Sequence, residues 1–474
     1  MTFRNLLVAF GLGRVAGRLF FLLAGSGLTG GILARAVAAR LAGRVVPFAR
    51  GGTSVPGRLF ALSKVRIAPD AEVLARAGFD IVTLPDSDQF VLQAAFFPGL
   101  PPETAAIDIA TRRDAAPYRA FLRRLLPIFL RRIGAQAVIG AHFMYPQDIH
   151  WGAVAQECGY PYLILFRESL KISDTERDAL TDMCRRLGRF EGDRILTWND
   201  VARDVIVASG YARADQVVTT GAVRLSAFIA KCRTRPLPHP PGTKPTATLF
   251  SFNPGASLNG LALDPWPPNP YAGWVRLFER THTAFAMAAA ALPGARFVIK
   301  PKWGAHWTTR IRQAIASRGL NPDLPNLEIT TAIGAGELIE QSSVVIGFTS
   351  TTLLEAGLAG RPILIPDFEE ALDPYFRRHL KLTEIYPYCR IATSPEELVE
   401  LIKDHLLRPR PLPAEAQAAM ERFFAAYVSS VAEDPLTKAG VILRDAMTRG
   451  GGASERPTSI LAHPETVDFG PGRT

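Results

Sequence analysis

The 474-residue sequence predicts an α/β protein built from two Rossmann-like, doubly wound domains with helices at the C-terminus and a basic, apolar N-terminal extension. Three observations carry that prediction. Short β-branched runs alternate with helix-length segments over most of the chain. A proline-rich stretch at 236–245 (PLPHPPGTKP) divides this alternation into two series. Residues 344–368, VVIGFTSTTLLEAGLAGRPILIPDF, compress strand, turn, helix, turn and strand into 25 residues. Strands spaced this way pair in parallel through crossover helices.

Taken in order, the first series opens at Leu59 with RLFALSKVRI as a strand, then a helix over 69–77 and a strand over 79–84. Residues 121–133 form an amphipathic helix with arginines outward. Ala137 to Gly140 is a buried strand leading into the polar, aromatic loop AHFMYPQDIHWG. A helix through Cys158 follows, stopped by Gly159. Strands at 162–166, 194–197 and 216–219 and a helix at 200–209 complete the series. The second series has strands at 247–252, 296–299 and 327–329, with helices at 274–291, 307–318 and 333–341. The compressed segment comes next, then a helix over 394–406 and a helical region over 414–446. The expected divisions are 1–55 (extension), 56–235, 236–246 (linker), 247–410, 411–449 (helices) and 450–474 (disordered tail).

Composition narrows the classes of function. The four cysteines (Cys158, Cys184, Cys232, Cys389) are scattered and lack histidines at ligand spacing, which argues against a disulfide framework and structural zinc. Net charge is +10, yet residues 1–69 hold ten Arg or Lys and no acid, so the remainder is formally neutral. A main body without basic, aromatic-interleaved patches does not favour nucleic acid. The N-terminal segment fits an amphipathic stretch lying on an anionic membrane face, because apolar burial and arginine attraction add. Its uncharged run, 19–34, is short for a span and holds four glycines.

The compressed segment carries the chemistry. Gly347 ends the strand, and Phe348-Thr349-Ser350-Thr351-Thr352 supplies hydroxyls and N–H groups where a helix begins. Such a helix start beyond a parallel strand is where open α/β sheets take phosphate-bearing ligands. Thr352 and Glu355 also have the spacing of an ordinary capping box, as do Ser394 and Glu397.

These residues resemble the GT-B glycosyltransferases of bacterial surface and capsular polysaccharide assembly, specifically the CDP-glycerol glycerophosphotransferase and capsule-biosynthesis types. The likeness rests on Gly347 to Glu355 followed by Ala359-Gly360-Arg361-Pro362, on Phe297-Val298-Ile299-Lys300-Pro301-Lys302, and on Thr220-Gly221-Ala222-Val223-Arg224. It implies that the second domain holds a nucleotide-activated donor, which is substrate rather than cofactor. Ser350, Thr351 and Thr352 then meet the donor phosphates and Glu355 accepts from ribose hydroxyls. Lys300 and Lys302 neutralise the leaving group, and Arg224 adds a planar fork. The sequence departs from the pattern at Lys302-Trp303-Gly304, where a His-Pro is usual, and at Ser226, where an Asp is usual.

On the acceptor side, His142, Tyr145, Asp148, His150 and Trp151 crowd one loop, and Arg167-Glu168 follows the next strand. Glu168 is the first choice of base for an acceptor hydroxyl and His142 the second. Their alternative is a structural role. Asp114, Asp148 and Asp200 are isolated from one another, so no metal is expected. The implied partners are a nucleotide-activated sugar or polyol phosphate, a glycan or lipid-linked acceptor, and an anionic membrane surface, with a cytoplasmic location at the inner membrane. An epimerase acting on nucleotide sugars shares the layout, and a non-catalytic nucleotide-binding component of an assembly complex also remains open.

Overall fold

In the computed structural model, which describes residues 27–48, 55–97, 115–233, 244–256, 258, 273–301 and 305–451, two parallel sheets carry the chain. The first series begins with α1 (Gly27–Ala42), β1 (Val46–Pro47), β2 (Arg58–Ala61), α2 (Lys64–Arg76), β3 (Asp80–Thr83) and α3 (Asp86–Phe96). It continues through α4 (Ala116–Arg132), β4 (Ala135–Gly140), α5 (Pro146–Glu157), β5 (Tyr162–Leu165) and α6 (Asp174–Leu187). It closes with β6 (Arg194–Thr197), α7 (Asp200–Ala208), β7 (Val217–Thr219) and α8 (Ser226–Cys232).

The second series comprises β8 (Thr246–Phe250), α9 (Val275–Ala291), β9 (Arg296–Lys300), α10 (Ala305–Ala316), β10 (Leu327–Ile329) and α11 (Ala335–Gln341). Then come β11 (Val344–Gly347), α12 (Thr351–Leu358), β12 (Ile363–Pro366), the short α13 (Pro374–Arg377) and β13 (Arg390–Ala392). Three helices end it: α14 (Pro395–Leu407), α15 (Ala414–Tyr427) and α16 (Pro435–Gly451).

The first sheet has the order β1-β3-β2-β4-β5-β6-β7, parallel except for the edge strand β1. The second has the order β10-β9-β8-β11-β12-β13 and is parallel throughout. The chain order therefore reverses between β2 and β4 in one sheet and between β8 and β11 in the other. Loops leaving the strands' C-terminal ends diverge at those two points, which is where doubly wound sheets leave a crevice for ligand. Burial on both faces explains the uninterrupted apolar strands, such as β11 and β12, whose residues are all buried.

Five expectations needed correction. RLFALSKVRI is not one strand: β2 ends at Ala61, and Ser63 turns the chain in a left-handed conformation (φ 49°). Helix α2 then starts at Lys64 and includes Pro69, the residue expected to begin it. The loop after β4 becomes helix α5 from Pro146 onward. The helical region expected over 414–446 is two helices broken around Val428, where the N–H groups of Val428 and Ser429 both donate to the Phe424 carbonyl. Finally, residues 27–48 belong to the first domain rather than to an extension. Ala34, Ala38 and Leu41 are buried in its core and α1 lies along α4. Residues 1–26, most of the 236–246 linker and 452–474 lie outside the described residues. No helix among the described residues is long and apolar enough to cross a membrane.

The two domains are joined by more than the linker. Helix α16 crosses back onto the first sheet, where Ala439, Leu443, Ala446 and Met447 share one apolar cluster with Leu59, Ala61 and Ile139. Another cluster runs across the junction, combining Trp198, Ala222 and Phe228 with Leu338, Leu353 and Leu354. Polar ties reinforce it: Lys231 Nζ to Glu340 Oε1 at 2.8 Å, Asn199 Nδ2 to the Tyr427 carbonyl at 2.5 Å, and a Lys381–Glu176 ion pair.

Candidate functional site at the domain junction

At the second sheet's reversal point the chain leaves β11 through Phe348, whose ring packs 4.9 Å from Phe252 and 5.0 Å from Trp274. Thr349 follows with φ 47°, a left-handed conformation that costs a non-glycine residue strain. Its Oγ1 is shielded from solvent and has no hydrogen-bond partner among the described residues. Ser350 is the N-cap of α12. Its Oγ accepts from the Thr352 N–H at 3.3 Å and from the Thr352 hydroxyl at 2.8 Å, and it keeps its own O–H to offer.

The capping box expected from Thr352 and Glu355 is therefore absent. Thr352 lies one position inside the helix, and the cap is two residues upstream. Glu355, only 4 % exposed, is left free of capping duty. Burial pushes its carboxyl above the ordinary value, opposed by Arg224 of the first domain and by a hydrogen bond from Thr351. A carboxylate held in that way is a ready acceptor for hydroxyl donors.

Lys300 ends β9, the strand beyond β8. Its Nζ donates to the Thr331 carbonyl at 3.3 Å, and partial burial lowers its pKa. Two strand spacings separate it from the β11 exit, about 10 Å, which a diphosphate with its substituents can bridge. Lys302 lies outside the described residues.

Arg224 sits at the junction. Gly221, with φ 87°, turns the chain after β7, and the 223–225 turn presents the arginine. Its guanidinium lies 4.1 Å over the Trp198 ring, and its backbone N–H donates to Asp70 Oδ1 at 3.1 Å. Nη1 is buried and has no hydrogen-bond partner among the described residues. Burial depresses the arginine's pKa, while Asp70, Glu355 and Glu168 support its charge against Arg167. Asp70, 2 % exposed, is itself raised by burial and steadied by Arg224 and Arg167. Asp70 and Trp198 were not foreseen. The available signals were weak: Asp70 is the chain's first acid, and Trp198 directly follows a strand end.

On the first sheet, adjacent strands β4 and β5 bring His142 and Glu168 together. His142 Nδ1 accepts the Met144 N–H at 3.0 Å, so the neutral ring carries its proton on Nε2. Burial among Phe143, Phe166 and Tyr145 lowers the imidazole pKa to about 3, with Glu168 opposing and Lys171 and Arg66 adding to the shift. That geometry makes His142 an N–H donor rather than a proton acceptor. Glu168 is exposed and its charge reaches His142, Tyr145 and Arg224.

The other members of the crowded loop turn inward with α5. Trp151 Nε1 donates to the Tyr118 hydroxyl at 2.8 Å, and the His150 ring lies 5.7 Å from Tyr118. Asp148 is fully buried beside Ser63 and Gln89. No group of three His, Cys, Asp or Glu able to hold a metal occurs among the described residues.

No protein-family model and no curated protein matches the chain. Solved structures do. A UDP-GlcNAc 2-epimerase from Neisseria meningitidis, bound to UDP-GlcNAc, is 11% identical over 83% of this chain and 99% of that one, with a TM-score of 0.43. A putative UDP-N-acetylglucosamine 2-epimerase from Listeria monocytogenes is 12% identical over 82% and 96%, with a TM-score of 0.47. The wall teichoic acid polymerase TagF is 12% identical over 84% and 90%, with a TM-score of 0.46. The fold assignment rests on the strand orders themselves.

Proposed function

We propose that this protein is a GT-B-type transferase that moves a sugar or polyol-phosphate unit from a nucleotide-activated donor to a surface glycan or lipid-linked acceptor. The observation that carries the reading is Glu355. It is buried one turn into the helix that follows the reversal-point strand, held by Thr351 and facing Arg224 across the junction. Two ribose hydroxyls satisfy such a carboxylate, while the α12 N-terminus with Ser350 and Thr351 takes the phosphates. Thr352 supports this as the partner of Ser350. Lys300, Lys302 and Arg224 offset the charge that grows on the leaving nucleotide.

Glu168 takes the proton from the acceptor hydroxyl as its oxygen bonds to the transferred unit, and the bond to the nucleotide breaks with its electron pair leaving on phosphate oxygen. His142, as an Nε2–H donor, orients the acceptor or Glu168. The protein works at the cytoplasmic face of the inner membrane, where its basic N-terminal segment contacts anionic lipid.

The test has two stages. Thermal-shift titration with CMP, CDP, UDP and GDP identifies the base, because a ligand bound only by the folded state raises the melting temperature by mass action. The matching donor is then incubated with and without membrane acceptor. Nucleotide release that requires acceptor supports the transferase. Conversion of the donor without acceptor identifies an epimerase, and binding without turnover identifies a non-catalytic component.

A further inference from the structure

Ser251 immediately follows β8, the strand flanked by β9 and β11, so it stands between the Lys300 and Phe348 exits at the reversal point. Its backbone N–H donates to the Lys300 carbonyl at 3.0 Å. Its Oγ lies 2.9 Å from Nε2 of His282, a fully buried residue of α9. The other ring nitrogen, Nδ1, lies 2.6 Å from the Phe278 carbonyl. A carbonyl only accepts, so Nδ1 carries the proton and neutral His282 presents a lone pair at Nε2. The ring is enclosed by Phe278 and Phe252, with centroids at 4.1 and 6.2 Å, an environment that disfavours the imidazolium. The Ser251 hydroxyl proton therefore points into the protein.

A buried histidine needs a partner for its second nitrogen, and Ser251 supplies one. That accounts for the bond, but Ser251 is only half-buried and stands between the Lys300 and Phe348 exits, which puts its oxygen beside the place where the proposed donor would lie. With its proton committed to His282, its oxygen offers only lone pairs. Such an oxygen repels phosphate and attracts O–H or N–H.

We infer that Ser251, oriented by His282, is a specificity-determining acceptor that reads a hydroxyl or amide N–H on the transferred unit rather than the donor's phosphates. This rests on the function proposed above. A typical neutral hydrogen bond contributes about 1 kcal/mol, or roughly fivefold in affinity.

Calorimetric titration of the full chain with UDP, CDP and GDP, each beside UDP-N-acetylglucosamine, CDP-glycerol and GDP-mannose respectively, tests it. For the pair that binds, Ser251→Ala is expected to weaken the intact donor roughly fivefold and leave the nucleoside diphosphate within twofold. His282→Leu frees the serine proton, so inorganic pyrophosphate should compete more strongly than in the unaltered protein. Equal weakening of donor and nucleoside diphosphate by Ser251→Ala would show that Ser251 donates to phosphate. No change in either would reduce Ser251 to a partner of His282. Both results overturn this inference and leave the transferase reading standing. Absence of binding by any of the six probes to the unaltered protein overturns both.

Discussion

Asp148 offers a sharp test of the electrostatics built into the first domain. Its carboxyl is fully buried, and both nearby donors, the Ser63 hydroxyl at 2.9 Å and Gln89 Nε2 at 3.3 Å, reach the same oxygen, Oδ1. Oδ2 has no hydrogen-bond partner among the described residues. Burial pushes the pKa from 3.8 to about 8, partly opposed by those two donors, with Asp86 adding to the rise. The folded protein therefore keeps a proton that the unfolded chain releases above 3.8. Stability from this group is fully present below that value, declines as pH rises, and levels off above about 8. One pKa unit is about 1.4 kcal/mol, so the loss between pH 5 and pH 7 is on the order of 3 kcal/mol.

Asp148→Asn mimics the protonated acid: Oδ1 still accepts from Ser63 and Gln89, and an amide replaces the unpartnered oxygen. The variant should match the unaltered protein below about pH 4, exceed it by on the order of 2 kcal/mol at pH 5, and exceed it by on the order of 4 kcal/mol at pH 7. Urea unfolding at pH 5, 6, 7 and 8, followed by far-ultraviolet circular dichroism and tryptophan fluorescence, gives the difference at each pH and cancels groups common to both proteins. A variant less stable at pH 7, with the pH slope between 5 and 7 unchanged, would mean that the carboxyl is ionised in the fold, and the reasoning would fail.

Three further outcomes follow from the junction. Glu355→Gln keeps the shape but removes the charge that ribose hydroxyls would meet; nucleoside diphosphate affinity should fall by roughly tenfold or more, since hydrogen bonds to charged groups are worth about 1.5–3 kcal/mol, and calorimetry reads this directly. Lys300→Ala should weaken a nucleoside diphosphate more than the corresponding nucleoside, with a shallower salt dependence, in titrations at two ionic strengths. Gly221→Ala places a Cβ 2.2 Å from Ser429 Oγ at φ 87°. It should lower stability by about 2–3 kcal/mol in denaturant titration, and adding Ser429→Gly should recover only the steric part, leaving the cost of the left-handed backbone.

Where the sequence was legible, the signal was local. Residues 344–347 and 363–366 are strands because buried, β-branched runs bounded by glycine and proline have few other options. Ser350 to Glu355 could be recognised because cap, hydroxyls and carboxylate lie within six residues. The turn at Ser63 was hidden because LFALSKVRI stays mostly apolar through it, and a left-handed serine leaves no pattern. Strand β1 has two residues, too few for any period. Asp70, Trp198 and the Ser251–His282 pair depend on contacts between distant segments, 154 residues apart for Asp70 and Arg224. Their chemistry emerges only when two sheets and a returning helix are assembled. The Thr352–Glu355 box was a local inference overridden by a local competitor, since Ser350 reached the same N–H first.

On the function proposed above, the charges at the junction set the direction in which the donor would lie. Arg224 retains its proton despite burial, yet one of its nitrogens has nothing to donate to within the described residues. A buried donor left unmade costs on the order of 1–3 kcal/mol, and more for a charged group. The face of Trp198 and the charges of Asp70, Glu168 and Glu355 offset this without filling the vacancy. An oxyanion would fill it. Glu355 is the wrong place for that oxyanion, since burial already disfavours negative charge there, whereas hydroxyls can donate to its carboxyl oxygens. On the function proposed above, phosphate oxygens would therefore go to Arg224, Lys300 and the α12 N-terminus, and the hydroxylated nucleoside end to Glu355. The opposite orientation would bury two anions together and leave the arginine unsatisfied.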